Sequence, residues 1–532
     1  MKPPSTKTLW RNATLIAMDD ANRSRPFRAD LLIDGALIAA VGPDLEVPPD
    51  ARVVDAQTLL ITPGFVNAHM HSWESLFRGT SERLPLELWS LETYPVIDAV
   101  PVPDRLVYLR TLVAGMDALR GGTTSLLDDV GELPVQSAES LATVFDAYAE
   151  LGIRATCTGG IADVAPVDRL PFVDRLLTPE QLTEAREAAS TGPYVVERFL
   201  RFCRAAFDRH HGREYGRLRF AVAPSAPQRS SDELMTGSAE LAREYGAVLH
   251  MHLLETKLQA IVGQQRYDAT IVEHLAELGI LDTPNLTLAH GIWLTDNDIE
   301  LLGSSSASIV HNPLSNLKLG SGVLPWRRLH EEDATVALGT DGTASNDSLR
   351  MLEVVKQAAL LHTLSDPDPA TWPSSDEVLW AATRGGARAT GLPDTVGALE
   401  PGRVADLVVF DLEATTSFTP AGDTARQLVF SENGSSIAEV WVDGELVVQG
   451  GRMTRVNEAA ILAEFRTLAA DYRREGERMR EANARLVPLV SEVHRRASQT
   501  PWPLEQSDVS APGPTASTPT PTPTQHTDWS TP

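Results

Sequence analysis

The residues of this chain that could do chemistry are histidines and carboxylates placed at the ends of short apolar runs. His69 and His71 stand two apart after the run Leu59–Val66. Side chains at i and i+2 of a strand project to the same side, so both imidazoles can reach one point. An ordinary polar pair at a strand end has the same spacing. The segment His250-Met-His-Leu-Leu-Glu255 closes the run Val248–Leu253 and sets a carboxylate three residues beyond a histidine. That supplies a ligand and a nearby proton carrier, the two parts of a metal-assisted hydrolysis. His250 itself reads as a supporting or packed residue. His290, His311 and Asp341 each end a further apolar run, at Leu286–Ala289, Ser308–Val310 and Val336–Gly339.

The elements that must carry these residues alternate. Ser125–Leu127, Ile153–Thr158 and Phe220–Ala223 complete the set of strand candidates, and helical stretches such as Ser137–Leu151 and Asp232–Tyr245 intervene. Strand and helix in rotation over this length predict a (β/α)8 barrel of the TIM type, with the polar residues on the C-terminal rim where such barrels place their chemistry. The ends of the chain are β-rich instead. Leu9–Met18, Ala29–Ile33 and Leu37–Val41 are answered by Asp406–Asp411 and Val440–Val448, with Asp-Gly turn signals in both halves. The expected organisation is a small β-sandwich from 1–62 and 391–455, a barrel over 63–390, a helical segment over 456–498, and a Pro/Thr-rich tail over 499–532 too polar to order itself.

Composition narrows the function classes. The chain has 532 residues, 42% hydrophobic and 22% charged, with a net charge of −26, which is globular and hostile to phosphate backbones and anionic lipid. No nucleic-acid or membrane partner is expected. Two cysteines, Cys157 and Cys203, cannot build a thiolate zinc site or a disulfide framework. The polar start MKPPSTKTLW has no secretory core, and no run approaches the roughly 18 apolar residues of a membrane span. A cytoplasmic protein is the expectation. The histidines outside the strand ends (His210, His211, His274, His330, His362, His494 and His526) are expected mostly at the surface.

Taken together, the motifs resemble the amidohydrolase superfamily, in its deaminase and triazine-hydrolase branch. They are Pro63-Gly-Phe-Val-Asn-Ala-His-Met-His71, the HxHxxE element at His250–Glu255, Leu288-Ala-His-Gly291, the run His311-Asn-Pro-Leu-Ser-Asn-Leu-Lys-Leu-Gly-Ser-Gly322, and Gly339-Thr-Asp-Gly-Thr-Ala-Ser-Asn346. The resemblance spans roughly Leu9 to Val448. It implies that His69, His71, His252 and Asp341 bind one divalent metal, Zn²⁺ first and Fe²⁺ as the alternative, since three imidazoles and a carboxylate suit both. It further implies that Glu255 shuttles protons, that His290 and Asp341 orient the attacking hydroxide, and that His311 and Asn312 shape the pocket rim. The reaction so implied is hydrolytic deamination of an amino-substituted nitrogen heterocycle. Alternatives are hydrolysis of a chloro-, alkylamino- or cyclic amide C–X bond and, from another class, a non-catalytic scaffold, against which all six site residues stand. Barrels of this family commonly form dimers or larger homo-oligomers.

Binuclear members of the superfamily usually bridge their metals with a carbamylated lysine on the fourth strand. No lysine occurs between Lys7 and Lys257, so a mononuclear site is expected, barring a rarer Glu or Cys bridge; Cys157 is the one cysteine near a strand end in that interval. Trp89 and Asp98 occupy the spacing after His71 at which the methylthioadenosine/S-adenosylhomocysteine deaminases carry a tryptophan and a ribose-binding acid. A rim aromatic and a solvated acid would look the same. Ser225 stands where those deaminases carry a substrate-contacting histidine, a departure from the nucleoside pattern. Gln228 and Arg229 follow it and offer a different set of donors, suited to an oxo- or carboxyl-bearing substrate; a surface Arg229 capping the next helix would read the same. Arg78 and Arg154 lie after barrel strands and are further candidates for an anionic group, although surface ion pairs are the commoner fate of such residues.

Overall fold

The computed structural model describes residues 7–132, 134, 136–189 and 191–503. His526 and the Pro/Thr tail from residue 504 lie outside the described residues. Eight parallel strands follow one another in chain order: Phe65–Met70, Thr123–Asp128, Arg154–Ile161, Leu218–Pro224, Leu249–Leu253, Leu286–His290, Ser308–His311 and Thr335–Leu338. Nearly every residue in them is buried, as expected for strands covered on both faces. The last strand returns to the first through Asp341 N–H to the His69 carbonyl at 3.0 Å, and through Asn67, whose amide Nδ2 donates to Thr340 Oγ1 at 2.7 Å and whose Oδ1 accepts the Thr340 N–H at 3.0 Å. This is the expected barrel, and every strand candidate in the middle of the chain is present.

The run Leu59–Val66, read as one strand, is two. Leu59–Pro63 belongs to a separate sheet and Phe65–Met70 opens the barrel. The break falls at Gly64, where a Cβ would overlap the Thr124 side chain. The separate sheet is mixed and nine-stranded, with strands from both ends of the chain meeting where Leu407–Asp411 pairs antiparallel with Leu59–Pro63. A buried ion pair fastens it to the barrel: Arg154 Nε lies 2.8 Å from Asp406. Arg154 therefore starts its strand on the side remote from the rim, and Arg78 pairs with Asp117 at 2.8 Å.

Helices Asp104–Arg120, Ala138–Leu151 and Asp232–Tyr245 pack outside the strands. The last two begin on Ser137 and Ser231 caps and end on left-handed Gly152 and Gly246. A long pair, Glu458–Asn483 and Val487–Gln499, follows the sheet and lies across the barrel's C-terminal side. No helix among the described residues is long and apolar enough to cross a membrane.

The outlying histidines are not at the surface. His210, His274 and His362 are buried, and His211, His330 and His494 are partly so. His210 stacks on Phe145 with ring centroids 4.4 Å apart and His274 on Tyr267 at 3.7 Å. An imidazole covers an aromatic face while its nitrogens stay paired, which a reading by local polarity misses.

Candidate active site

His69 and His71 project to the same side because Met70, between them, turns outward into the hydrophobic core. His71 Nε2 lies 3.3 Å from His252 Nε2 and 3.3 Å from Asp341 Oδ1, and His69 Nε2 lies 3.5 Å from that same oxygen. Donors at the corners of a tetrahedron with bonds of about 2.0–2.1 Å are separated by about 3.3 Å, so the spacing matches a shared divalent ion. Asp341 is held at φ +59° and His290 at φ +80°, conformations that side-chain-bearing residues rarely adopt outside sites that require them.

The far sides of the rings are tied. His71 Nδ1 donates to the Asp129 carbonyl at 2.8 Å, His252 Nδ1 to the Ser225 carbonyl at 2.8 Å, and His69 Nδ1 to His250 Nε2 at 3.0 Å. The two carbonyls can only accept, so His71 and His252 carry the proton on Nδ1 and turn the Nε2 lone pair to the common centre, the ligand tautomer; His69 takes the same tautomer where its Nδ1 is the donor to His250. His69 Nε2 is buried with no hydrogen-bond partner. Burial pushes His69 down to about 4 and His252 well below its ordinary value, keeping both neutral. Burial also presses on His71, but Asp341, Glu74 and Asp129 outweigh it and raise its pKa to about 9. That excess of carboxylate is what a bound cation would neutralise.

Glu255 faces this centre. It is buried, and its Oε2 lies 3.8 Å from His290 Nε2, whose other nitrogen is 3.0 Å from Asn316 Oδ1. Burial raises Glu255 to about 7, against a partial offset from His290 and with reinforcement from Asp341.

The Amidohydrolase family model matches residues 60–447, most of the chain. The protein belongs to the amidohydrolase family. The 5'-deoxyadenosine deaminase of Methanosarcina mazei is 32% identical over 463 residues, covering 87% of this chain and 97% of its own. The 5-methylthioadenosine/S-adenosylhomocysteine deaminase of Thermococcus sibiricus is 33% identical over 425 residues, 79% and 90% of the two chains. Among solved structures, the zinc-complexed atrazine chlorohydrolase of Arthrobacter aurescens TC1 aligns at a TM-score of 0.76 with 27% identity, over 87% of this chain and all of its own. A zinc-bound adenosine deaminase of Xanthomonas campestris aligns at 0.75, also with 27% identity, over 88% and 100%.

Within this amidohydrolase the six rim residues converge, and the outlying candidates divide. Trp89 is buried at the mouth, its indole donating to the Ala344 carbonyl at 3.3 Å in the loop after Asp341. Asp98 is on an exposed turn at φ +54° beside the C-terminal helices, not among the rim residues. Ser225 serves the site through its carbonyl, and Arg229 Nη1 approaches its hydroxyl at 3.4 Å. The Arg229 charge acts on both Glu255 and His252. Asn312 adjoins His290, Nδ2 to Nδ1 at 3.5 Å. His311 corrects the expectation of a rim residue: it turns into the helical layer, 3.3 Å from His362 Nε2 and against Trp326. Cys157 is buried in the core away from the donors.

The sequence reasoning passed over Glu74, Asn316 and Tyr94. Glu74 is buried beside His71 and Asp341, accepts the Ala344 N–H at 2.9 Å, and is raised to about 8 by burial against the pull of His71. Tyr94 packs on Trp73 with centroids 4.3 Å apart. Its hydroxyl is held neutral, first by burial and then by the Glu74 and Asp129 charges. Asn316 lies on the short helix Pro313–Lys318, four residues beyond its N-cap Asn312, a spacing that was the available signal.

Proposed function

We propose that this amidohydrolase is a hydrolytic deaminase of an amino-substituted nitrogen heterocycle, adenosine-type purines foremost, working with one divalent metal, zinc before iron. His69, His71, His252 and Asp341 would hold the ion. The observation that carries the reading is Glu255: a buried carboxyl poised near neutral pH, facing His290 and the donor cluster, set to take and return a proton. A divalent ion there supplies Lewis acidity, lowering the pKa of a coordinated water toward about 7.

The chain's own residues do the rest. Glu255 takes a proton from the attacking water as its oxygen adds to the ring carbon bearing the amino group. Glu255 then gives that proton to the adjacent ring nitrogen. The remaining hydroxyl proton passes to the amino nitrogen, the C–N bond breaks, and ammonia leaves an oxo-heterocycle. His290, fixed through Nδ1 by Asn316, and Asp341 orient the incoming oxygen. Relatives named for adenosine-type substrates support the purine class. Arg229, its charge acting on Glu255 and His252, favours a substrate carrying an oxo or anionic substituent.

The test is ammonia release by the metal-replete protein from adenosine derivatives, purines, pyrimidines, pterins and s-triazines, with Glu255→Gln as the blank. Ammonia from one class, lost in the variant, is the expected result. A second reading, displacement of chloride from a ring carbon, is favoured by serine at position 225, in place of the histidine of the nucleoside pattern; the atrazine chlorohydrolase and the adenosine deaminase align equally well. Chloride release from chloro-s-triazines without ammonia from any amino compound would select it.

A further inference from the structure

The segment from Phe77 to Val102 lies across the barrel mouth. Its helix Leu86–Thr93 buries Leu86 and Trp89 against Leu319 and Ala344, and Glu87 accepts a hydrogen bond from Thr256, the neighbour of Glu255, at 2.6 Å. The helix hands over to Tyr94, whose ring packs on Trp73, two residues past His71. Beyond Tyr94 there is no regular structure until Asp104. The backbone of that stretch is satisfied from elsewhere in the chain, by the C-terminal helices.

Asn483 makes the main connection. Fully buried, its Oδ1 accepts the N–H groups of Val96 and Ile97 at 3.1 and 3.2 Å, and its Nδ2 donates to the Ile97 carbonyl at 2.9 Å and the Met479 carbonyl at 2.7 Å. The same helix adds Met479, whose sulfur accepts the Val100 N–H at 3.3 Å, and Tyr472, whose hydroxyl donates to the Val100 carbonyl at 3.0 Å. The following helix places His494 3.4 Å from Glu87. Backbone groups without a ladder of their own are paired here by side chains, and those side chains come from residues that take no part in the barrel.

We propose that the C-terminal helical pair is a working part of the active site, and that Asn483 is a positioning residue for substrate binding. By fixing the turn at 96–97 it holds Tyr94 against Trp73 at the mouth, so that the heterocycle meets a preformed aromatic wall. The proposal rests on the reading that the mouth takes the substrate, and deepens it: recognition is completed by a segment outside the barrel.

The test uses the full chain, metal-replete, as Asn483→Leu and Asn483→Asp. The leucine keeps the shape and loses all four bonds; the aspartate keeps the acceptor and loses the donor. With the best substrate of the ammonia panel, Asn483→Leu should raise KM by about tenfold with kcat within about threefold and metal content unchanged. Asn483→Asp should fall between it and the parent. Amide hydrogen exchange should quicken at 94–100 in both, more in the leucine variant. Glu464→Gln, on the exposed face of the same helix, should alter neither readout. A merely structural Asn483 would reduce the active fraction and leave KM alone. Unchanged KM, or faster exchange confined to Glu458–Asn483, overturns the proposal. If no heterocycle yields ammonia, the deaminase reading fails, and the exchange at 94–100 still decides the clamp. If the leucine variant does not fold, the aspartate carries both readouts.

Discussion

The rim of the active site and its cover are built by opposite means. On the rim, the groups stand at the ends of strands that are adjacent both in sequence and in space; His71 and His252 are each fixed by a carbonyl at the end of the neighbouring strand, and His69 by His250 across the barrel. The cover is assembled from distant pieces: Trp89 reaches Ala344, Glu87 reaches Thr256, and Val96 meets Asn483 across 387 positions. A rim locked by strand pairing suits groups that must hold chemistry in place. A cover held by single hydrogen bonds, each worth about 0.5–1.5 kcal/mol, suits the part of a site that adjusts to a substrate. Substitutions on the rim should therefore strike turnover and metal, and those on the cover should strike KM.

The largest effect belongs to Glu255→Gln. Removing the proposed proton carrier should lower kcat by roughly 10²–10⁴-fold while metal content stays at the parent value, because Glu255 is not among the residues proposed to hold the ion. Loss of metal together with activity would instead make it a ligand. Next comes His250→Phe, which withdraws the acceptor from His69 Nδ1. Such outer partners typically govern about 10–100-fold in metal affinity, measurable by competition with a chelator. An unchanged affinity would reduce His250 to packing.

The same contrast explains what could be read from the sequence. The rim was legible because its signals are local: a two-residue spacing at His69 and His71, a three-residue step from His252 to Glu255, and an apolar run before each polar residue. The fold followed from the alternation that produces those runs. The division of Leu59–Val66 between two sheets was not legible, since the reason is the Thr124 side chain against Gly64. Neither was His311, which has the strand-end position of a site residue but turns toward Trp326 and His362, in later helical segments. Asp98 has the spacing from His71, while the turn that carries it is set from a distance by Asn483, which no local signal announces. Glu74 was passed over although it follows His71 by three residues, because burial, not spacing, gives it its character.

A pH profile sharpens the rim's side of the comparison. Glu255, raised to about 7, must start as the carboxylate to accept a proton, so kcat/KM should fall as pH drops below about 7, by about tenfold per unit once well below it. A flat profile from pH 5 to 8 would remove Glu255 as the base. On the cover, Trp89→Phe keeps an aromatic ring, though a smaller one, and deletes one long hydrogen bond to Ala344. KM should rise by only about two- to fivefold, with kcat and metal affinity unchanged; a loss of metal would erase the distinction between the two regions.

The smallest effect is expected at His494. Its ion pair with Glu87 joins the last helix to the cover, but the imidazole is 42% exposed, and pairs this open are worth about 1 kcal/mol or less. Hydrogen bonding to Glu87 raises the His494 pKa above its ordinary value. The stabilisation is therefore complete below about pH 6.5, the ordinary histidine value, and is lost as pH climbs through the raised one. His494→Gln should lower Tm by about 2 °C or less at pH 6 and leave it at the parent value at pH 9. A deficit that persists at pH 9 would mean that the ring acts by packing and not by charge. In that case the cover would be held at this end, as the rim is, by buried shape.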